Sequence, residues 1–422
     1  MKEGYKETPV GMIPEDWDVM TLDDIGEFKN GINKSKEDFG KGYPFINLMD
    51  VFGRSVVVPI NLQLVNANDN ELIEYNLLKG DILFVRSSVK PSGVGLTALV
   101  KETLPNTVFS GFLIRFRDNN KLDVGFKRYC FYENGFRKRL LDKSTVSANT
   151  NINQVALKSL YCIIPPFKEQ SKIASILSTV DDKIDSINER IEETRKLKQG
   201  LMQQLLTRGI GHTRFKDSPL GEIPESWDAY KLDDCLEKVV GGGTPSRKTE
   251  SYWNGNIPWA TVKDLKGSIL HETEEFITEY GLKSSASNLI PKFTIIISTR
   301  MAVGKAVLFT TDVAINQDLK AIFTKSLLHK NFLFHWFSMN ANRINELGTG
   351  STVKGIRLEI LRDLDIAIPK LLEQCKIASI LSTVDNKLEV LREKKDDYEQ
   401  LKKGLMQQLL TGKIRVKFSR QL

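Results

Sequence analysis

Several stretches of this chain hold residue types that carry catalysis or bind cofactors in other proteins, and none has the full set such a site needs. Gly350-Ser351-Thr352-Val353-Lys354-Gly355 has the glycines and lysine of a phosphate cradle. A P-loop needs Gly-Lys-Ser/Thr at its end, whereas Ile356-Arg357 follow Gly355. Gly93-Val94-Gly95 and Gly241-Gly242-Gly243 read as loop geometry, since a lone glycine turn does not make a cofactor cradle. Ile164-Pro165-Pro166-Phe167 has the outline of the amine-holding motif of amino-methyltransferases, with isoleucine where the polar residue should stand. Proline is expected there anyway, where a strand passes into a helix. His329 and His335 lie within an apolar stretch and read as packing residues. Asp181, Asp182 and Asp185 imitate a metal cluster, but the helical pattern around them places them on a solvated face. Cys130, Cys162, Cys235 and Cys375 are scattered, with no Cys-x-x-Cys pair and no histidines at zinc spacing. Neither catalytic residues nor a metal or cofactor is expected in this chain.

Length and composition bound the remaining classes. A chain of 422 residues suggests two or three domains. The net charge of +7 is compatible with a nucleic-acid partner without demanding one, because the excess is spread over a large surface. No secretory signal and no run of about 18 apolar residues is present, so no membrane span is expected. Scattered thiols in such a chain are expected to be reduced, and the protein cytoplasmic.

The elements that would position a site come in duplicate. Glu169-Gln170-Ser171-Lys172-Ile173-Ala174-Ser175-Ile176-Leu177-Ser178-Thr179-Val180-Asp181 returns almost unchanged from Glu373 to Asp385. Gly200-Leu201-Met202-Gln203-Gln204-Leu205-Leu206-Thr207 returns as the octet from Gly404 to Thr411. The front of each copy repeats too: Ile13-Pro14-Glu15-Asp16-Trp17-Asp18 matches Ile223-Pro224-Glu225-Ser226-Trp227-Asp228. A repeat this long is a duplicated domain, not a solenoid period. Between front and back the similarity is faint, but the order of elements is kept. Strands are expected at 44–50 and 258–264, 81–86 and 295–300, 96–100, 112–116, 306–309 and 319–323. An aromatic-rich helix follows at 124–141 and at 329–347, then a polar loop, then a last strand at 161–164 and 365–368. The fold class is α+β: two mixed α/β globules, 1–166 and 211–369, each followed by a helical segment, 167–210 and 370–422, in an internal pseudo-two-fold repeat.

Each helical segment has a 3-4 apolar spacing. Ile173, Leu177, Val180, Ile184, Ile187, Ile191, Thr194, Lys198, Leu201 and Leu205 form one seam. Ile377, Leu381, Val384, Leu388, Leu391, Lys395, Tyr398, Lys402, Leu405 and Leu409 form the other. So narrow a seam, sustained for about five heptads, predicts an antiparallel coiled coil of the two helices. The competing reading is an amphipathic helix lying on its own globule. In an antiparallel pair, Lys198 and Lys402 each lie toward the start of the opposite helix. There they either fix register or snorkel from a loose seam.

Together these residues resemble the specificity (S) subunits of type I restriction-modification systems, over essentially the whole chain. The resemblance rests on the two Ile-Pro-x-x-Trp entrances and the two helix starts, Pro166 to Leu177 and Pro369 to Leu381. The two Leu-Met-Gln-Gln-Leu-Leu-Thr endings complete it. It implies a DNA-recognition subunit with two target-recognition domains, each reading one half of a bipartite site on double-stranded DNA, with the helices setting the spacer. It also implies docking of two methylation (M) subunits and of restriction (R) subunits, with S-adenosylmethionine, ATP and Mg on those partners. The specificity subunit of a type II system with a fused endonuclease-methyltransferase partner is the alternative. The charged helix surfaces Glu189-Arg190, Glu192-Glu193, Arg195-Lys196 and 392–395 suit docking of M subunits, and solvation explains them equally well.

Under that resemblance, loops rich in Lys, Arg, Ser, Thr and Asn are the candidates for phosphate clamping and base reading. In the first globule these are Asn30, Asn33, Lys34, Lys36, Arg86, Ser87, Ser88, Lys90, Ser144, Thr145, Asn149 and Asn151. In the second they are Thr244, Ser246, Arg247, Lys248, Arg300, Ser351, Thr352 and Lys354. Arg86 and Arg300 end equivalent predicted strands, and an arginine there binds phosphate, reads a guanine edge, or forms a surface salt bridge.

Overall fold

The computed structural model describes residues 3–350 and 353–416. The chain forms two compact units, and each takes one end of both long helices. The first combines residues up to Ile187 with those from Lys394 on, and the second spans Asn188–Glu393.

In the first unit, β1 (Gly26–Asn30), β2 (Ile82–Val85), β3 (Thr97–Leu99) and β4 (Leu113–Asp118) form a sheet in the order β1-β4-β2-β3. All neighbours are antiparallel. β2 is buried throughout and reads as an apolar run, whereas β4 is buried over most of its length although it carries Arg115, Arg117 and Asp118. The aromatic stretch forms two helices, α1 (Val124–Cys130) and α2 (Asn134–Asp142), where the sequence predicts one. The break comes from Glu133, whose carboxylate accepts from the amides of Gly135 and Phe136, both at 2.6 Å, and so caps a new helix. α3 (Phe167–Thr207) follows a last strand, Tyr161–Ile164, that pairs with Asp18–Thr21.

The second unit repeats this plan. β5 (Leu236–Gly241), β6 (Ile269–Leu270), β7 (Ile295–Ser298), β8 (Ala306–Phe309) and β9 (Leu319–Thr324) form a sheet in the order β5-β9-β7-β8-β6. Here the aromatic stretch is a single helix, α4 (Lys330–Glu346). Asp228–Lys231 pairs with Asp365–Ile368, which leads into α5 (Leu371–Leu409). The strands expected at 44–50 and 258–264 lie earlier, at Phe39–Ile46 and Trp253–Ala260. Each stops where a capping box begins, Asn47 with Asp50 and Thr261 with Asp264.

The repeated motifs hold each helix to its globule through the same contacts. Trp17 and Trp227 are fully buried. Trp17 Nε1 donates to Glu169 Oε2 at 2.9 Å, and Trp227 Nε1 to Glu373 Oε2 at 3.3 Å. Gln170 donates to the carbonyls of Lys121 and Pro165 and accepts from the amide of Asp123. Gln374 donates to Leu327 and Pro369 and accepts from the amide of His329. Past each helix end the chain turns at a glycine with positive φ against the tryptophan ring, Gly412 (φ +68°) on Trp17 and Gly209 (φ +67°) on Trp227. In the first unit Glu169 also binds Arg415. In the second, Glu373 accepts from the amide of Ile210 and contacts His212 at 2.8 Å. Gln374→Leu is expected to leave one amide and two carbonyls without their partner. The second unit should then lose about 3 kcal/mol, read as a lower unfolding midpoint in urea.

The helices run antiparallel within each unit. In the first, Glu169 and Asp181 of α3 meet Arg415 and Lys402, so one number rises as the other falls. In the second, Lys198 of α3 meets Asp385 of α5. The seam is largely buried, with Ile173, Leu177, Val180, Ile184, Ile187, Ile191, Leu205, Ile377, Leu381, Leu388, Leu391 and Leu409 all in the core. Val384, Lys395, Tyr398 and Leu405 are half-buried. Both readings of the seam hold, at different heights. Ile173 and Leu177 pack with Phe126, Tyr129 and Leu409 in the first globule's core. Ile377 and Leu381 do so with Leu205 in the second.

The seam lysines fix register through a partner that the sequence reading misplaced. Asp181 is not on a solvated face: it is 6% exposed and accepts from Tyr129 Oη (2.7 Å) and Lys402 Nζ (2.6 Å), with Arg128 at 3.0 Å. It directly follows seam residue Val180, which turns it toward the partner helix. Lys198 reaches Asp385 at 2.6 Å in the same way. His335 takes the place of Tyr129 there, with Nε2 3.2 Å from Ser382 Oγ and Nδ1 3.7 Å from Asp385 Oδ2.

Burial holds the His335 imidazole down at about 4, with Asp385 opposing the shift and Lys198 adding to it. The unfolded chain takes up this proton near pH 6.5 and the folded protein only near pH 4. Stability from His335 is therefore complete above pH 6.5 and falls by up to about 3 kcal/mol as pH drops to 4. His335→Phe is expected to flatten the dependence of the second unit's melting temperature on pH across that window.

Candidate nucleic-acid interface

Loops that are far apart in sequence meet at the end of β2 in the first unit. The Arg86 amide donates to the Phe112 carbonyl at 2.9 Å, and its carbonyl accepts from Ile152 at 2.9 Å. Ser87–Ser88 pairs with Thr150–Asn151, which pairs with Thr145–Val146. The polar loop at 144–153 is therefore folded back as a small sheet on the segment that follows Arg86. On the other side Arg86 Nη1 donates to the Gly111 carbonyl at 3.3 Å. Gly111 abuts Asn33, whose Oδ1 would lie 2.0 Å from any Cβ added there. The segments that carry Asn33, Arg86, Ser87, Ser88, Thr145 and Asn151 thus meet at one end of the sheet. Asn30, Lys36, Lys90 and Asn149 are exposed and Ser144 is half-buried. Lys34 is drawn away: both Glu71 oxygens hold its ammonium, at 2.7 and 2.8 Å.

The second unit assembles the same face from equivalent segments. Arg300, at the end of β7, forms a bridge with Gly355, and the Ile356 amide donates to the Thr299 carbonyl at 2.9 Å. The Met301 amide donates to the Lys354 carbonyl at 2.9 Å. Lys354, Gly355 and Ile356 therefore lie along the segment from Thr299 to Met301, as Thr150, Asn151 and Ile152 lie along the segment from Arg86 to Ser88. Ser351 and Thr352 lie outside the described residues. The Arg300 guanidinium is exposed, 3.5 Å from Asp318. Thr244 joins from the glycine turn, with Oγ1 2.6 Å from Gln317 Oε1.

Arg247 is otherwise engaged. Its guanidinium binds both Glu275 oxygens, and this pairing raises its pKa. It also stacks on Trp253, 3.8 Å from the ring centroid. The Ser246 carbonyl accepts from the Trp253 indole at 3.0 Å, and Lys248 is exposed. Sequence reading could not foresee the ties of Lys34 and Arg247, because Glu71 and Glu275 are distant in the chain. It also passed over Gln317 and Asp318, which the frame marks: they follow Ile315-Asn316 as Gly111 and Phe112 follow Phe109-Ser110, just before the central strand.

Chemically, each face offers one arginine, hydroxyls and amides on strand ends and turns. That set donates to phosphate oxygens and matches base edges. Among the described residues no group of three or more His, Cys, Asp or Glu is placed to hold a metal ion. Among them, too, no helix is long and apolar enough to cross a membrane.

The family model for the type I restriction modification DNA specificity domain matches residues 14–195 and 224–400. The chain is 32% identical over 425 aligned residues to a protein named for the specificity subunit of the type I restriction enzyme MjaX of Methanocaldococcus jannaschii, covering 99% of this chain and 98% of that one. It is 27% identical to the MjaVIII specificity subunit of the same organism, over 99% and 97% of the two chains. The crystal structure of the type I S subunit from M. genitalium shares the fold, with a TM-score of 0.58 at 15% identity, covering 96% of this chain and 97% of that one. This duplicated chain, with its two polar faces in one repeated frame, belongs to the type I restriction-modification specificity subunits and carries two target-recognition domains.

Proposed function

We propose that the chain is the non-catalytic reader of a type I complex. Each target-recognition domain reads one half of an asymmetric, bipartite site on double-stranded DNA. The length of the helices sets the spacer, and two M subunits and the R subunits supply the chemistry. S-adenosylmethionine, ATP and Mg belong to those partners. The observation that carries this reading is the meeting of equivalent segments around Arg86 and Arg300, with different residues on each. A scaffold with no reading task gives no reason for divergent polar faces on a repeated frame. The type II alternative has no specific observation in its favour.

Genome-wide mapping of methylated adenines tests this, in a host carrying the chain and its methylation partner. A two-part asymmetric motif is expected, and a contiguous motif, or none, would refute the reading. Inserting one heptad into each helix should lengthen the spacer by about 10 Å, or roughly three base pairs.

A further inference from the structure

We propose that Met301 reads the 5-methyl group of a thymine in the half-site bound by the second target-recognition domain. The inference deepens the reading above and rests on it. Met301 follows Arg300 in the turn between β7 and β8, and it is 60% exposed. Its backbone has φ +64°, a conformation that costs energy for any residue with a Cβ. Of the other non-glycine residues described with positive φ, all but Phe293 are asparagine, which tolerates that region. The turn is held from both sides, by the Met301 amide on the Lys354 carbonyl (2.9 Å) and the Ala302 amide on the Arg300 carbonyl (2.8 Å).

The Met301 side chain is mostly exposed. It packs into no core, and glycine would take the same φ without strain. Strain kept at an exposed site beside a functional surface points to a task for the side chain. Met301 is next in the chain to Arg300, whose guanidinium lies 3.5 Å from Asp318, and its amide is bonded to Lys354, so an apolar side chain sits beside hydrogen-bonding residues. In the major groove, the thymine methyl is the apolar feature that base pairs offer. A flexible, polarisable methionine suits such a contact. The first unit has a counterpart: the longer connection from β2 to β3 carries Val89, exposed at 81%, beside Lys90. The corresponding connection in each unit thus presents an exposed apolar residue past the arginine, of a different identity and three residues on in the first unit.

The test uses the full chain in complex with its methylation partner and duplexes carrying the mapped site. Each thymine of the second half-site is replaced in turn by deoxyuridine, which removes only the methyl group. The wild-type complex should lose about fourfold in affinity at one position, the equivalent of one buried methyl. Met301→Gly should be indifferent to that replacement, with a thermal midpoint no lower than wild type. Met301→Leu should keep the sensitivity. The inference is overturned by a half-site without thymine, by a wild type blind to every replacement, or by a glycine variant that keeps the sensitivity. A lower midpoint for Met301→Gly, marking a structural role, would overturn it too. Failure of the underlying reading looks different, because the wild-type complex would then discriminate among no duplexes at all.

Discussion

Asp181→Ala should lower the stability of the first unit by about 3 kcal/mol, at the lower end of the range for breaking a buried ion pair. The carboxylate takes a hydrogen bond from Tyr129 and charge from Lys402 and Arg128, and it is almost wholly buried. Removing it strands a lysine on an apolar seam and leaves the Tyr129 hydroxyl without its acceptor. Lys402 keeps partial contact with solvent, which holds the loss below the upper end. For a unit of this size the first thermal transition should fall by roughly 10 °C. Asp385→Ala should cost less, because Asp385 serves one cation and an imidazole that burial keeps neutral. Converting Lys402 to methionine in the Asp181→Ala background should restore much of the loss, since the seam then holds two apolar residues. An Asp181→Ala protein that melts like wild type would show that the pair adds nothing to the helix register.

Arg86→Glu and Arg300→Glu should each weaken binding of the complex to its site by about 10- to 200-fold, the span of one specific arginine contact. Neither side chain is needed by the core: Arg86 reaches one backbone carbonyl, and Arg300 an exposed edge beside Asp318. Unfolding midpoints should therefore move little. The two possible roles leave different traces. An arginine on a guanine edge relaxes preference at one base pair, whereas one on a phosphate weakens all sequences alike and reduces the salt slope by about one. Binding that survives both reversals would remove these arginines from the interface.

The parts of the fold legible in the sequence are those where one residue makes the same contact twice. Trp17 with Glu169, and Trp227 with Glu373, explain why both motifs stand out among dissimilar neighbours. Gln170 and Gln374 each satisfy three backbone groups, so neither tolerates drift. Lys198 and Lys402 were visible as charges on an apolar seam, but their acidic partners were not. The signal was present in the identical Val-Asp steps at 180–181 and 384–385, since a residue beside a seam position sits at the edge of the helix interface. Capping pairs three residues apart, Asn47 with Asp50 and Thr261 with Asp264, were also readable and would have ended two strands correctly.

The site was legible in its centre and obscure at its margins. Arg86 and Arg300 emerge because strand patterns align in both copies, and the polar loops nearest them fold onto them. Lys34 and Arg247 read by type as free cations, whereas each is paired with a carboxylate. Their carboxylate partners come from elements whose proximity is a tertiary fact. Met301 is not legible by type, because an isolated methionine reads as core, and only the structure shows its positive φ and its exposure.

The most direct test of two independent readers is a competition among four duplexes: the mapped site, the site with either half scrambled, and the site with both scrambled. Wild-type complex should lose affinity on scrambling either half. Where the arginine reads a base edge, the Arg86→Glu complex should lose less than wild type on scrambling one half, and the Arg300→Glu complex less on scrambling the other. Affinity unchanged by scrambling one half, or both variants losing sensitivity to the same half, would contradict the account.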